Sequence, residues 1–291
     1  MGVPATAVMD TTPVGLAEAI AIEAAEARAW ADMYGAAPAE FARAAGVETR
    51  DVAGALVLRW AATGRRYFSR AIGLGVAQPA TPAALDEILG WYEETGVTMF
   101  LLQSLPHCRP AQYEDWLRER GLEPFDAQDR IVRGGEPFDV AAAAGPAGRE
   151  LTVERVERGA VEEWASFLAD TYGLDTGDWL EALHARPGWH QYVAREAGVI
   201  VSARGMFIDP GGTAWLGMDG PVPGVHAPEY DGDAALCAAI VADGLRRGAR
   251  SFIADIEAPS ADMSTPAYDY FGRLGFRRPY VRTHWARVAG G

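Results

Sequence analysis

Only two of the 291 residues are cysteine, Cys108 and Cys237, and they stand far apart in no metal or redox spacing. That scarcity excludes a disulfide-stapled fold and a cysteine-based zinc centre, and it fits two reduced thiols in a cytoplasmic protein. Histidine is just as sparse. His107, His184, His190, His226 and His284 include no pair at helical ligand spacing, so no metal is expected. Basic residues are outnumbered, 26 against 40 acidic ones, which leaves a formal net charge of −14. Such a surface repels nucleic-acid phosphates and anionic lipid headgroups, so neither nucleic acid nor membrane is an expected partner. Long apolar runs are missing too, and the first thirty residues carry Asp10, Glu18, Glu23 and Glu26 without a basic start. Neither a signal peptide nor a membrane span is expected.

What is present is an ordinary globular composition, 49% hydrophobic and 23% charged, in a chain long enough for two domains. Spacing predicts a helix from Pro13 to Gly35, with Leu16, Ile20, Ala24 and Ala27 inward and Glu18, Glu23 and Glu26 on the polar side. A short helix over residues 38 to 46 follows. Strands Val52 to Trp60 and Tyr67 to Val76 are expected as a hairpin turning at residues 61 to 65. Thr81 and Pro82 open a helix to Thr95, a buried strand spans residues 97 to 105, and a helix runs from Pro110 to Gly121. Residues 129 to 134 read as a last strand. Gly134 to Gly148 then combines Gly, Pro and small residues, as a linker does. The expected division is a domain at 1–135, a linker at 136–148 and a domain at 149–291.

The second half opens with a strand, Leu151 to Val156, and two helices, Val161 to Tyr172 and Trp179 to Ala185. A hairpin pairs Gln191 to Glu196 with Val199 to Phe207, and the turn Asp209 to Gly212 leads into the strand TAWLGM. Leu236, Ile240, Val241 and Leu245 form one stripe of a helix from Ala234 to Arg247, which Gly248 stops. SFIADIE reads as a buried strand and AYDYFGRLGF as a short helix ending at Gly275. This order repeats an earlier one. AALDEILGWYEETG, VTMFLLQ and RPAQYEDWLRERGL mirror AALCAAIVADGLRRG, SFIADIE and TPAYDYFGRLGF as helix, Gly, strand and helix, which implies duplication.

The stretch from Gly220 to Trp285 resembles the carboxyl-terminal half of a GNAT (GCN5-related N-acetyltransferase) fold. The residues that carry the likeness are Pro228-Glu229-Tyr230 before the helix, Ala235-Leu236 opening it, Gly248 closing it, Arg273-Leu274-Gly275-Phe276, and the tail Tyr280 to Trp285. The resemblance implies an α/β (α+β) chain of two tandem GNAT-like domains, each a mixed, mostly antiparallel sheet flanked by helices. It also implies acetyl-CoA, or another acyl-CoA, as co-substrate and a small-molecule amine as acceptor, in a monomer or homodimer. The first half, where Leu74 to Pro79 has no phosphate signature, is expected to be structural.

In such a domain small residues let backbone N–H groups approach the CoA pyrophosphate at a helix N-terminus. The candidate set here is Val222, Val225, His226, Asp231, Gly232, Asp233 and Ala234. Asp231 and Asp233 stand where basic residues are common, and either they cap an ordinary helix or the CoA site persists with a local charge cost. The family's proton-donating tyrosine falls on Phe271, so Tyr270, and behind it Tyr268, are the candidate acids for the departing thiolate. Both tyrosines also read as packing aromatics. Asp219, at the end of TAWLGM, is the candidate base, with Asp255 and Glu257 behind it; Asp219 equally reads as an Asx-turn before Gly220. The function implied is acyl transfer from a CoA thioester to an amine. The alternative is a GNAT-fold protein that has lost acetyl-CoA and serves as a binding protein or catalyses another reaction.

Overall fold

A computed structural model describes residues 9–144, 150–221, 232–258 and 266–287. In chain order the elements of the first half are α1 (Leu16–Gly35), α2 (Ala39–Ala45), β1 (Val47–Val52), β2 (Ala55–Trp60), β3 (Arg70–Ile72), α3 (Pro82–Glu94), β4 (Leu101–Ser104), α4 (Tyr113–Glu119) and β5 (Leu122–Gly134). They continue with α5 (Val140–Ala144), β6 (Leu151–Arg155), α6 (Val161–Tyr172), α7 (Trp179–His184), β7 (Trp189–Glu196), β8 (Val199–Ile208), β9 (Thr213–Pro221), α8 (Gly232–Arg246), β10 (Ser251–Glu257), α9 (Pro266–Arg273) and β11 (Arg277–Arg287).

Two compact units form, and neither is continuous in sequence: residues 13–129 with 280–291, and residues 1–12 with 130–279. Consecutive domains at 1–135 and 149–291 were the sequence-based expectation, and contacts divide the chain differently. The long strands β5 and β11 explain the difference, because each begins in one unit and ends in the other. The expected linker also carries structure. Asp139 accepts from the N–H groups of Ala141 and Ala142, which starts α5, and Ala143 is buried.

In the 13–129/280–291 unit the strand order is β1-β2-β3-β4-β11-β5. β1, β2 and β3 are antiparallel, β3 and β4 are parallel, and β11 lies antiparallel to β4. The expected pairing across residues 61 to 65 is present as β2 against β3, and a further hairpin, between β1 and β2, turns at Ala53 and Gly54, both at positive φ (51° and 75°). That two-residue turn matches the right-handed twist of the strands. Leu85, Ile88, Leu89 and Tyr92 of α3 pack on Val57, Ala71, Leu102 and Trp285. Glu23 and Glu26 correct the expectation for α1. Both are buried, at 2% and 0% exposure, because the Arg282 guanidinium pairs with them and Tyr280 donates to Glu23 at 2.8 Å.

The 1–12/130–279 unit has the strand order β5-β10-β9-β8-β7-β6. β6 to β9 form an antiparallel meander, and β10 lies parallel to β9. Ala197 and Gly198 turn the β7–β8 hairpin, and Gly248, at φ 92°, ends the α8 region. Met206, Leu216, Phe252 and Ala254 pack under Leu236, Ile240 and Val241 of α8 and Phe271 and Leu274 of α9. Each such side chain removed from water contributes about 1.5–3 kcal/mol. Both units therefore show the expected class: a mixed, mostly antiparallel sheet flanked by helices.

Candidate active site

The β9–β10 pair positions everything else in the second unit. Its ladder holds three parallel pairs, Ser251 with Thr213, Phe252 with Ala214 and Ile253 with Trp215, and stops there. β9 then continues to Pro221 against β8, while β10 runs on to Glu257 beside β5. Two strands that begin paired and then part leave a V-shaped gap between them. Backbone N–H and C=O groups on the flanks of such a gap are available to an extended, amide-bearing molecule.

Inside the gap β9 is irregular. Ala203 faces Gly220 and Gly205 faces Gly217, so Arg204 of β8 stands opposite two residues, Met218 and Asp219. This is a bulge, and Met218 takes the positive φ of 54° that it requires. Asp219 therefore lies within β9, where the sequence suggested a strand end and an Asx-turn. Its backbone oxygen accepts from the Tyr172 hydroxyl at 2.5 Å, and its carboxylate Oδ2 lies 3.6 Å from Arg204 Nη2. Gly217 lets Trp215 fold across the strand, because a Cβ there would come within 2.2 Å of the indole.

Around Arg204 the structure gathers five further side chains. Ser202 Oγ donates to Asp233 Oδ1 at 2.7 Å, so the first acid of α8 is turned toward the sheet. Phe271 lies under the guanidinium at 5.6 Å. Burial disfavours the charge on Arg204, but Cys237, Asp219, Tyr270 and Asp233 hold it protonated. Burial pushes the Cys237 thiol up to about 12 despite Arg204, which leaves no thiolate to act as a nucleophile. Burial also raises the Tyr270 hydroxyl well above its ordinary value; Cys237, Asp233 and Asp219 add to this, and Arg204 opposes it. The Tyr270 ring packs on Phe271 at 4.7 Å. Tyr268 faces elsewhere, with Arg278 over its ring at 5.4 Å.

Of the residues singled out from the sequence, Asp219, Asp233 and Tyr270 come together, and Ala234 is buried in the core beside them. Gly232 is the first residue of α8. Val222, Val225, His226 and Asp231 lie outside the described residues. Asp255 sits 3.3 Å from Arg130, and Glu257 is exposed. Arg204, Ser202 and Tyr172 were missed. The available signal was a charged residue, Arg204, in the otherwise apolar and small-residue strand VIVSARGMF.

The first unit's counterpart turn, between β3 and α3, is filled by its own chain. Arg109 N–H donates to Gly75 O at 2.8 Å, Ala80 N–H donates to Arg109 O at 2.7 Å, and Arg109 Nη2 bonds the carbonyls of Val76 and Ala77. His107 Nε2 is bound to Val14 O at 2.8 Å, and burial raises the neighbouring Cys108 thiol to about 12. His107 and Cys108 thus form no nucleophilic dyad. Among the described residues no three His, Cys, Asp or Glu side chains converge as metal ligands, and no helix is long and apolar enough to cross a membrane.

No family model and no curated protein matches the chain. Solved structures do. A GCN5-related N-acetyltransferase from Kribbella flavida superposes with a TM-score of 0.60 at 17% identity, over 92% of this chain and 96% of that one. A GCN5-related N-acetyltransferase from Sphaerobacter thermophilus gives 0.52 at 15%, over 79% of each chain. A tandem GNAT protein from the clavulanic acid biosynthesis pathway gives 0.52 at 11%, over 81% and 79%. The chain has the GNAT fold.

Proposed function

We propose that the chain is an N-acyltransferase that moves an acetyl or other acyl group from a CoA thioester to the amine of a small molecule. The observation that carries this reading is the parting of β9 and β10 directly before α8. The gap accepts the amide-bearing arm of CoA along β9, and the first turn of α8, from Gly232 to Ala234, favours its pyrophosphate. The small residues Gly232 and Ala234 at the start of α8 fit such a group, while the Asp233 carboxylate, which accepts from Ser202, would add a like charge. Bound there, CoA supplies the activated acyl carbonyl.

This chain's own residues supply the proton handling. Asp219, with its side chain 57% exposed, accepts the proton that an ammonium must lose before it attacks. Tyr270 gives a proton to the departing thiolate. Its neutral hydroxyl is maintained by burial. With Cys237 held as a thiol, the amine attacks directly, without an acyl-enzyme.

The test is release of free CoA thiol from acetyl-CoA across a panel of small primary amines, with the product weighed by mass spectrometry. Amine-dependent release and an acetylated product are expected. A second reading, a GNAT-fold binding protein or an enzyme for another reaction, is favoured by the acidic pair Asp231 and Asp233 near the helix start. Each would cost about 1 kcal/mol or more beside a pyrophosphate. Absence of thiol release with every amine would select that second reading.

A further inference from the structure

Arg204 is the buried cation of this cluster, and the sequence assigns it no role. Its side chain is 5% exposed, and Nε is buried without a hydrogen-bond partner among the described residues. Burying a cation is costly unless it is paired, so its neighbours define its purpose. Asp233 already accepts from Ser202. For Asp219, Arg204 is the side-chain partner among the described residues.

The bulge is what makes this pairing available. Up to Leu216, even-numbered residues of β9 face the core under α8 and α9. After the bulge the parity is reversed, because a Cβ at Gly220 would meet Leu168 and Thr171 of α6. One extra residue therefore moves Asp219 to the face that holds Arg204, Cys237 and Tyr270. A regular strand would leave Asp219 and Tyr270 on opposite faces of the sheet.

We propose that Arg204 is a positioning residue for the acyl transfer: it fixes the Asp219 carboxylate on the face occupied by Tyr270, so that proton acceptor and proton donor flank the same substrate. This rests on the acyl-transfer reading. A carboxylate freed from the guanidinium would sample rotamers pointing into solvent, and misplacement by an ångström costs up to about a hundredfold in rate.

The experiment combines Arg204→Gln, Arg204→Lys and Asp219→Asn with the double variant. Arg204→Gln is expected to lower kcat by about tenfold to a hundredfold with KM for acetyl-CoA unchanged, and Arg204→Lys to recover part of the loss. In the Asp219→Asn background Arg204→Gln should cost less than about twofold, since its effect runs through Asp219. Independently of turnover, Hα–Hβ couplings in selectively labelled protein should report one Asp219 rotamer in the native chain and an average in Arg204→Gln. An equal kcat loss in both backgrounds, or identical couplings in native and variant protein, overturns the proposal. Should Arg204→Gln not fold, Arg204→Lys carries the test. It keeps the charge with a different reach, and native kcat with averaged Asp219 couplings in that variant would equally overturn it. A native protein without acyl transfer, in which loss of Arg204 still frees Asp219, overturns the acyl-transfer reading and with it the catalytic role.

Discussion

Tyr270→Phe should lower turnover at least tenfold and leave the melting temperature nearly unchanged. The hydroxyl is the only group removed. The ring's packing on Phe271 at 4.7 Å persists, and Tyr270 stays in the core of Leu236, Phe271 and Leu274. The ring stays buried, so stability has little to lose. A positioned acid contributes about a hundredfold or more to rate, and tenfold is the low side of that range. Steady-state kinetics alongside thermal melts measure both quantities. Tyr268→Phe is the control, because Arg278 covers that ring. A loss confined to Tyr268→Phe would transfer the acid role to Tyr268, and no loss in either would leave solvent to protonate the thiolate.

Arg282→Met should destabilise the protein by about 3–5 kcal/mol, the cost of removing one partner from a buried ion pair. Arg282 is fully buried, and its guanidinium holds two carboxylates, Glu23 and Glu26, that are 2% and 1% exposed. Arg70 lies 3.9 Å from Glu26. The triple variant with Glu23→Gln and Glu26→Gln should recover much of the loss, since uncompensated charge causes it. Denaturant midpoints compare the three proteins. A cost for Arg282→Met below about 1 kcal/mol, as for an exposed pair, would show that water reaches these carboxylates.

The periodic elements were legible because their apolar stripes name the face they bury. Leu236, Ile240 and Val241 gave α8, and the Ala197-Gly198 turn gave the β7–β8 hairpin. What escaped depends on partners distant in sequence or on irregular backbone. Glu23 and Glu26 look like a solvated helix face until Arg282, 256 positions beyond Glu26, is brought to them. Asp219 looks like a strand end because a bulge leaves no mark in composition, least of all one with Met218 at positive φ. The β1–β2 turn at Ala53-Gly54 lacks the Asn or Asp that signals a tight hairpin. The interleaving of the two units was hidden for a similar reason, since β5 and β11 each read as the natural end of their own half.

The central claim is that the second unit takes an acyl-CoA between β9 and β10 while the first unit, its turn filled by Arg109, takes none. Calorimetric titration of acetyl-CoA up to millimolar concentration tests it most directly. Saturable binding of one molecule per chain is the predicted result. No binding, or two molecules per chain, would contradict it.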